Sequence, residues 1–316
     1  MTHAAETVFY VQGSADAGMG HLARSAALIR AFDARDLNNR VVLRVDDQGR
    51  LLARDKGLAA RETDFLHGTP APACIVIDAV TVPNADALAL SQSPRRILIS
   101  PVCDRADLAT HALLRSAPEG LRHRLASDCV LTEDDRFTYA TAAGLARRAL
   151  DHESRLVVGI CLSGGAGQPE IGALLHAART ALGVEAVHVI HPETPDTGGA
   201  GPAVHHRAFC NDPWGFLASV NVFVGGDGVM IAEAVAQGLP CLSITRPGAP
   251  TKNRGLVDAG CIEVCHRDAA PTALTALLSN RARLAGMHRS ALEQGAGRDA
   301  DALACALAQL AQNGRT

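Results

Sequence analysis

Aromatic residues make up only 3% of this 316-residue chain, with a single tryptophan, and its lysines and arginines gather into no basic run. A nucleic-acid binder relies on stacking rings and a positive face. The formal net charge here is −3, so the expected partners are small molecules rather than nucleic acid. No apolar run approaches the roughly eighteen residues of a membrane span. Met1-Thr2-His3-Ala4-Ala5-Glu6 lacks the charged-then-apolar order of a signal segment, so a cytoplasmic protein without a membrane span is expected. The nine cysteines contain no Cys-x-x-Cys pair and fall mostly in apolar strand patterns, where a free cysteine acts as a small hydrophobe. Their odd number fits a reducing compartment better than a disulfide framework. No metal site and no cofactor is assigned, and the sequence does not set the oligomeric state.

What the chain does have is alternation. Short apolar runs recur between amphipathic segments almost throughout, the pattern of parallel sheets covered by helices. In the first half, strands are expected at Thr7–Val11, Val41–Val45, Cys74–Asp78, Arg96–Ser100 and Cys129–Leu131, with helices near 21–35, 48–56, 84–91, 106–115 and 138–150. A second series begins at Arg155–Leu162 and continues through Glu185–Ile190, Val204–Phe209, Val220–Val224, Cys241–Ile244 and Ile262–Cys265, with helices near 169–182, 212–219, 228–237 and 252–258. A length of 316 residues with 47% hydrophobic content supports two such domains, expected at 1–150 and 151–316. A long alanine-rich helix is expected at the end, over Asp299–Gln312. The fold class is therefore α/β, two doubly wound Rossmann-like domains, with ligands expected at the carboxyl ends of the strands in a cleft between them.

Three glycine-rich loops stand at such strand ends. Gly18-Met19-Gly20-His21-Leu22-Ala23-Arg24 opens an amphipathic helix, whose first N–H groups and positive dipole end suit a phosphate. His21 is placed either to touch that anion or to move a proton or hold a water. Leu162-Ser163-Gly164-Gly165-Ala166-Gly167-Gln168-Pro169 offers a second anion nest, with Pro169 at a favoured early helix position. Gly225-Gly226-Asp227-Gly228 repeats the arrangement and leads into a helix carrying Glu233. That carboxylate can accept both hydroxyls of a ribose while the loop amides face phosphates; the alternative is an ordinary solvated helix glutamate.

In order, Gly18–Arg24, Ile75-Val76-Ile77-Asp78, Ser163-Gly164-Gly165 and Gly225–Glu233 with Gly238-Leu239-Pro240 resemble the nucleotide-sugar hydrolases of pseudaminic acid biosynthesis and their spore-coat polysaccharide relatives. The likeness runs from about residue 7 to 265, and the GxGHxxR element is its most specific part. A wider likeness links Gly225–Pro240 to the peptidoglycan N-acetylglucosaminyltransferase. The resemblance implies a GT-B architecture, a UDP-sugar ligand, phosphate contacts from Gly18, Gly20, Arg24, Gly164, Gly165, Gly226, Asp227 and Gly228, and ribose contacts from Glu233. It further implies that His21 orients or activates water and that Asp78 binds sugar hydroxyls or stabilises the developing cation. For Arg24, phosphate neutralisation and an ordinary salt bridge stand as equal alternatives.

Two departures bear on substrate. An Asp-Asp pair expected after the Arg96–Ser100 strand is replaced by Ser100-Pro101-Val102-Cys103-Asp104. An Asn-Gln pair expected after Cys241–Ile244 gives way to Arg246-Pro247-Gly248 and then Lys252-Asn253. The leading expectation is a UDP-sugar hydrolase releasing UDP by water attack. A glycosyltransferase with an alcohol acceptor comes next, ahead of an epimerase or a nucleotide-sugar binding protein without catalysis.

Overall fold

Thr7–Gly13 (β1) carries an unbroken apolar run because it lies inside a sheet covered on both faces. In this computed structural model, which describes residues 6–14, 20–63, 71–134, 137, 155–162, 168–196, 201–208, 212–245, 251–294 and 300–312, β1 pairs in parallel with Asn39–Val45 (β2) on one side and Cys74–Asp78 (β3) on the other. Arg96–Leu98 (β4), His111–Leu114 (β5) and Val130–Glu133 (β6) complete a six-stranded parallel sheet of order β2-β1-β3-β4-β5-β6. The chain leaves β1 toward β2 and returns past it to β3, which makes the β1/β3 junction the switch point where the connections diverge. Val11 is level with Asp78 there.

Successive residues of β1 face opposite ways. Phe9 meets Phe32 of the helix Gly20–Asp33 (α1) edge-on, with ring centroids 5.3 Å apart. Val8 and Tyr10 enter the core on the other side, beside Ala87 and Leu90 of Asn84–Ser91 (α3). Helix α1 is buried on nearly all sides because the last helix, Ala300–Gln312 (α11), packs against it. Arg95 donates to Leu310 O, and Arg35 Nη2 lies 3.4 Å from Cys305 Sγ. The chain thus divides into Met1–Thr141 with Asp299–Thr316, and Ala142–Arg298. The terminal helix groups with the first unit.

The second unit repeats the plan. Leu156–Cys161 (β7), Val184–Ile190 (β8), Ala203–Arg207 (β9), Val222–Gly226 (β10), Cys241–Thr245 (β11) and Ile262–His266 (β12) form a parallel sheet of order β12-β11-β10-β7-β8-β9. Its switch point lies between β7 and β10. Gln168–Thr180 (α5) and Ala270–Ser279 (α9) cover one face. Val229–Ala236 (α7), with Pro213–Ala218 (α6) and Arg254–Asp258 (α8), covers the other. Gly238, at φ +87°, ends α7 in a conformation that favours glycine, and His288 Nδ1–H donates to its carbonyl across 2.6 Å.

One expected helix is corrected. Segment 106–115 is not a helix: a single 3₁₀ turn at Ala106–Leu108 precedes strand β5. His111-Ala112-Leu113-Leu114 is too short to separate a buried strand from a buried helix turn by periodicity. Helices α9 and Arg281–Gln294 (α10) were not anticipated; α10 mixes arginines with only four buried residues, Leu284, Met287, His288 and Ala291. The helix expected at 138–150 lies outside the described residues.

A buried polar cluster braces the first unit. Tyr10 donates to Asp86 Oδ2 at 2.6 Å, while Arg44 Nε and Nη2 reach the same carboxylate at 2.6 and 3.0 Å. Burial, then the Asp86 hydrogen bond and charge, pushes the Tyr10 phenol far above its usual range. A folded pKa above the unfolded one contributes stability that is complete below about pH 10 and is lost as pH rises beyond it. Tyr10→Phe should therefore leave the phenolate absorbance titration of the folded protein unchanged and remove a titration that emerges only on unfolding. A titration step lost from the folded protein would show Tyr10 to be accessible.

Candidate active site

At the β1/β3 switch point, helix α1 brings three side chains onto one face. His21, Arg24 and Ser25 stand at i, i+3 and i+4, the spacing of neighbours on a helix surface. All three converge on Asp78, the last residue of β3. His21 Nδ1 is 2.6 Å from Asp78 Oδ1, Arg24 Nε donates to Oδ2 at 2.8 Å, Ser25 Oγ donates to Oδ2 at 3.0 Å, and Arg24 Nη2 also donates to Oδ1. Asp78 and Ser25 have no exposed surface, and His21 and Arg24 are buried.

Complete burial alone would raise the Asp78 carboxyl, but the charges of Arg24 and His21 and their hydrogen bonds outweigh it and hold the group well below the usual carboxylate range. An ionised carboxylate only accepts, so the proton between His21 and Asp78 sits on Nδ1. Arg24 Nη2, 2.8 Å from the same nitrogen, therefore directs its protons to the carboxylate. The basic lone pair of His21 is left on Nε2, which takes no hydrogen bond among the described residues. Asp78 fixes the tautomer and orientation of a proton acceptor.

This geometry revises two roles. A carboxylate with no exposed surface and donors on both oxygens cannot hold sugar hydroxyls or face a developing cation, so Asp78 positions His21 instead. Arg24 makes the salt bridge of its two alternatives, through Nε and Nη2 to Asp78. Gly20 is the exposed first residue of α1, and a Cβ there would meet nothing within 4 Å. Gly18, Gly164 and Gly165 lie outside the described residues.

At the second switch point, the turn after β10 is held from within. Asp227 N–H donates to Ile244 O at 3.1 Å and Gly228 N–H to Gly226 O at 2.6 Å. The Asp227 carboxylate accepts from Ser243 Oγ (2.9 Å), Thr251 Oγ1 (3.0 Å), Asn253 Nδ2 (2.8 Å) and the Lys252 backbone N–H (2.6 Å). The expectation that Gly226, Asp227 and Gly228 offer a row of amides to phosphate is thus corrected at Asp227 and Gly228, whose N–H groups are engaged. The donors that remain are the first-turn N–H groups of α7 from Val229 onward, which the helix itself cannot use. Glu233 is buried on the second turn of that helix. Ser25, Ser243 and Thr251 escaped the sequence reading. The i, i+3, i+4 spacing could have exposed Ser25, but serines and threonines from separate strands and loops carry no local signal.

No protein-family model matches the chain, and no curated protein matches it by sequence. Solved structures do. HepE of Anabaena in complex with UDP-glucose is similar at TM-score 0.62 and 13% identity, over 96% of this chain and 98% of that one. The fold is that of the GT-B proteins. The spinosyn forosaminyltransferase is similar at TM-score 0.62 and 14% identity, over 98% of this chain and 100% of that one. S. aureus MnaA, solved with UDP, matches at 0.60 and 12% over 90% and 91% of the two chains. Among the described residues, no helix is long and apolar enough to cross a membrane, and no group of three or more His, Cys, Asp or Glu could hold a metal ion.

The lowered Asp78 pKa has a sign that can be measured. Its contribution to stability is complete above the unfolded value, near pH 3.9, and is lost as pH falls through the lower folded value. Denaturant titrations should show a steep loss of stability below about pH 4. Asp78→Asn, which leaves Arg24 buried without its countercharge, should cost about 3–5 kcal/mol at neutral pH and flatten the acid limb. An unchanged acid limb in a folded variant would remove Asp78 from the account.

Proposed function

We propose that this chain cleaves a UDP-sugar at its anomeric carbon, with His21 as general base and water as the nucleophile. The observation that carries the reading is the His21–Asp78 pair, a proton acceptor of fixed tautomer at the switch point where α/β sheets bind ligands. In the step, His21 Nε2 removes a proton from water as the water oxygen bonds to the anomeric carbon. The bond from that carbon to the β-phosphate oxygen breaks, and its electron pair leaves with UDP. First-turn amides of α7 stabilise the charge growing on the departing diphosphate, and Glu233 holds the ribose hydroxyls. Arg24 is assigned no phosphate, and Asp78 touches no substrate.

The resemblance of the GxGHxxR element to nucleotide-sugar hydrolases supports water as the nucleophile. The structural likeness to a forosaminyltransferase favours the second reading, in which the same base activates an alcohol and the sugar is transferred. UDP release from UDP-sugars in water alone supports hydrolysis, whereas release only after an alcohol acceptor is added supports transfer.

His21→Asn should keep the fold and most UDP affinity but lower turnover by about 10²–10⁴-fold, the range for a lost general base. Preserved turnover with reduced stability would make His21 structural. Glu233→Ala should weaken UDP binding through lost ribose hydrogen bonds, each contributing about 0.5–1.5 kcal/mol. Unchanged affinity by calorimetry in a folded variant would overturn the ribose assignment.

A further inference from the structure

With Arg24 committed to Asp78, the proposed diphosphate site needs another cation. Of the described basic residues in the segments directly after β11 and β12, Arg254 is paired with Asp258 at 3.0 Å, and Arg267 is paired with Glu170 at 2.7 Å. Lys252 differs. Its side chain is exposed, and its ammonium has no carboxylate within ion-pair distance among the described residues. Its backbone is nonetheless fixed, because the Lys252 N–H is held 2.6 Å from Asp227 Oδ2. The residues on either side are pinned to the same carboxylate through Thr251 Oγ1 and Asn253 Nδ2. Asp227 immediately precedes Gly228, the N-cap of α7. The clamp therefore sets the root of Lys252 beside the end of α7 that favours negative charge.

Composition sharpens the contrast. The chain holds only two lysines among 30 basic residues. The other, Lys56, is mostly covered and lies 3.7 Å from Asp55. A lysine is a compact charge on a flexible stem, able to follow a phosphate, whereas arginine presents a fixed fork.

We propose that Lys252 is the phosphate-neutralising cation of the α7 site and that Asp227 is its positioning residue. This rests on the UDP reading above. Asp227 touches no ligand; the hydrogen bonds it accepts from Thr251, the Lys252 N–H and Asn253 hold Lys252 at the turn. The altered segment after β11 then has a chemical role, supplying a cation to the leaving diphosphate.

The presence of only two lysines makes the test direct. The full chain is acetylated with an N-hydroxysuccinimide ester, with and without UDP, and peptide mass spectrometry follows Lys252, with Lys56 and the N-terminal amine as internal controls. UDP should slow Lys252 acetylation several-fold and leave both controls unchanged. Lys252→Met should weaken UDP binding about ten- to hundredfold by calorimetry, the scale of one charge-assisted hydrogen bond, and Lys252→Arg should recover most of it. Asp227→Asn, in a variant that melts normally, should lower UDP affinity and abolish the protection of Lys252. If UDP binds but Lys252 is unprotected and Lys252→Met binds normally, the assignment is wrong. If calorimetry detects no UDP binding to the unaltered protein, the nucleotide reading itself fails, and this assignment falls with it.

Discussion

A carboxylate without contact with water stays ionised only if its surroundings replace the water it has lost. Asp78 is in that position, and much of the first unit can be understood from it. The end of β3 delivers the charge, and α1 must then offer its answering donors at the same level. Register between β1 and β3 fixes that level, and the buried face of α1 has to carry polar groups at three positions amid leucine and alanine. Histidine orientation follows as a by-product: the ring is turned because the carboxylate requires a donor.

The two loops solve the same problem in opposite ways. At the first switch point the charge lies beneath the helix and the helix bends its chemistry to it. At the second, Asp227 lies before the helix and gathers donors from a neighbouring strand and from a segment well downstream in sequence. Both arrangements leave a helix N-terminus fixed in place. They differ in what stands beside the carboxylate: a buried histidine ring in one unit and an exposed lysine in the other.

Sequence reasoning reached the architecture because parallel strands buried on both faces write long apolar runs, as in Tyr10-Val11 and Ile75-Val76-Ile77, and because glycines mark the turns after them. It also selected His21, Asp78 and Glu233, which stand out as polar residues inside apolar stretches. It erred where contact outweighs pattern. Whether Asp78 meets a substrate or Arg24 depends on two residues 54 positions apart closing to 2.8 Å, and nothing local to either residue records that. The 106–115 segment failed for a related reason, since four buried residues read alike as strand or helix. The amides of Asp227 and Gly228 were misjudged because a glycine-rich turn shows that the backbone is free to bend, not where its N–H groups end up.

The return of α11 to the first unit has a bearing on how the protein is made. Residues 142–298 form a unit enclosed between two stretches of the other, so on the ribosome the enclosed unit has all its residues before its host does. Among the described residues, α1 packs against α11, a helix far downstream in sequence. Until that helix is made, apolar surface that belongs in a core faces solvent. The unit that starts first is therefore completed after the one it encloses, and the helix that carries His21 acquires its full packing only once α11 has been made.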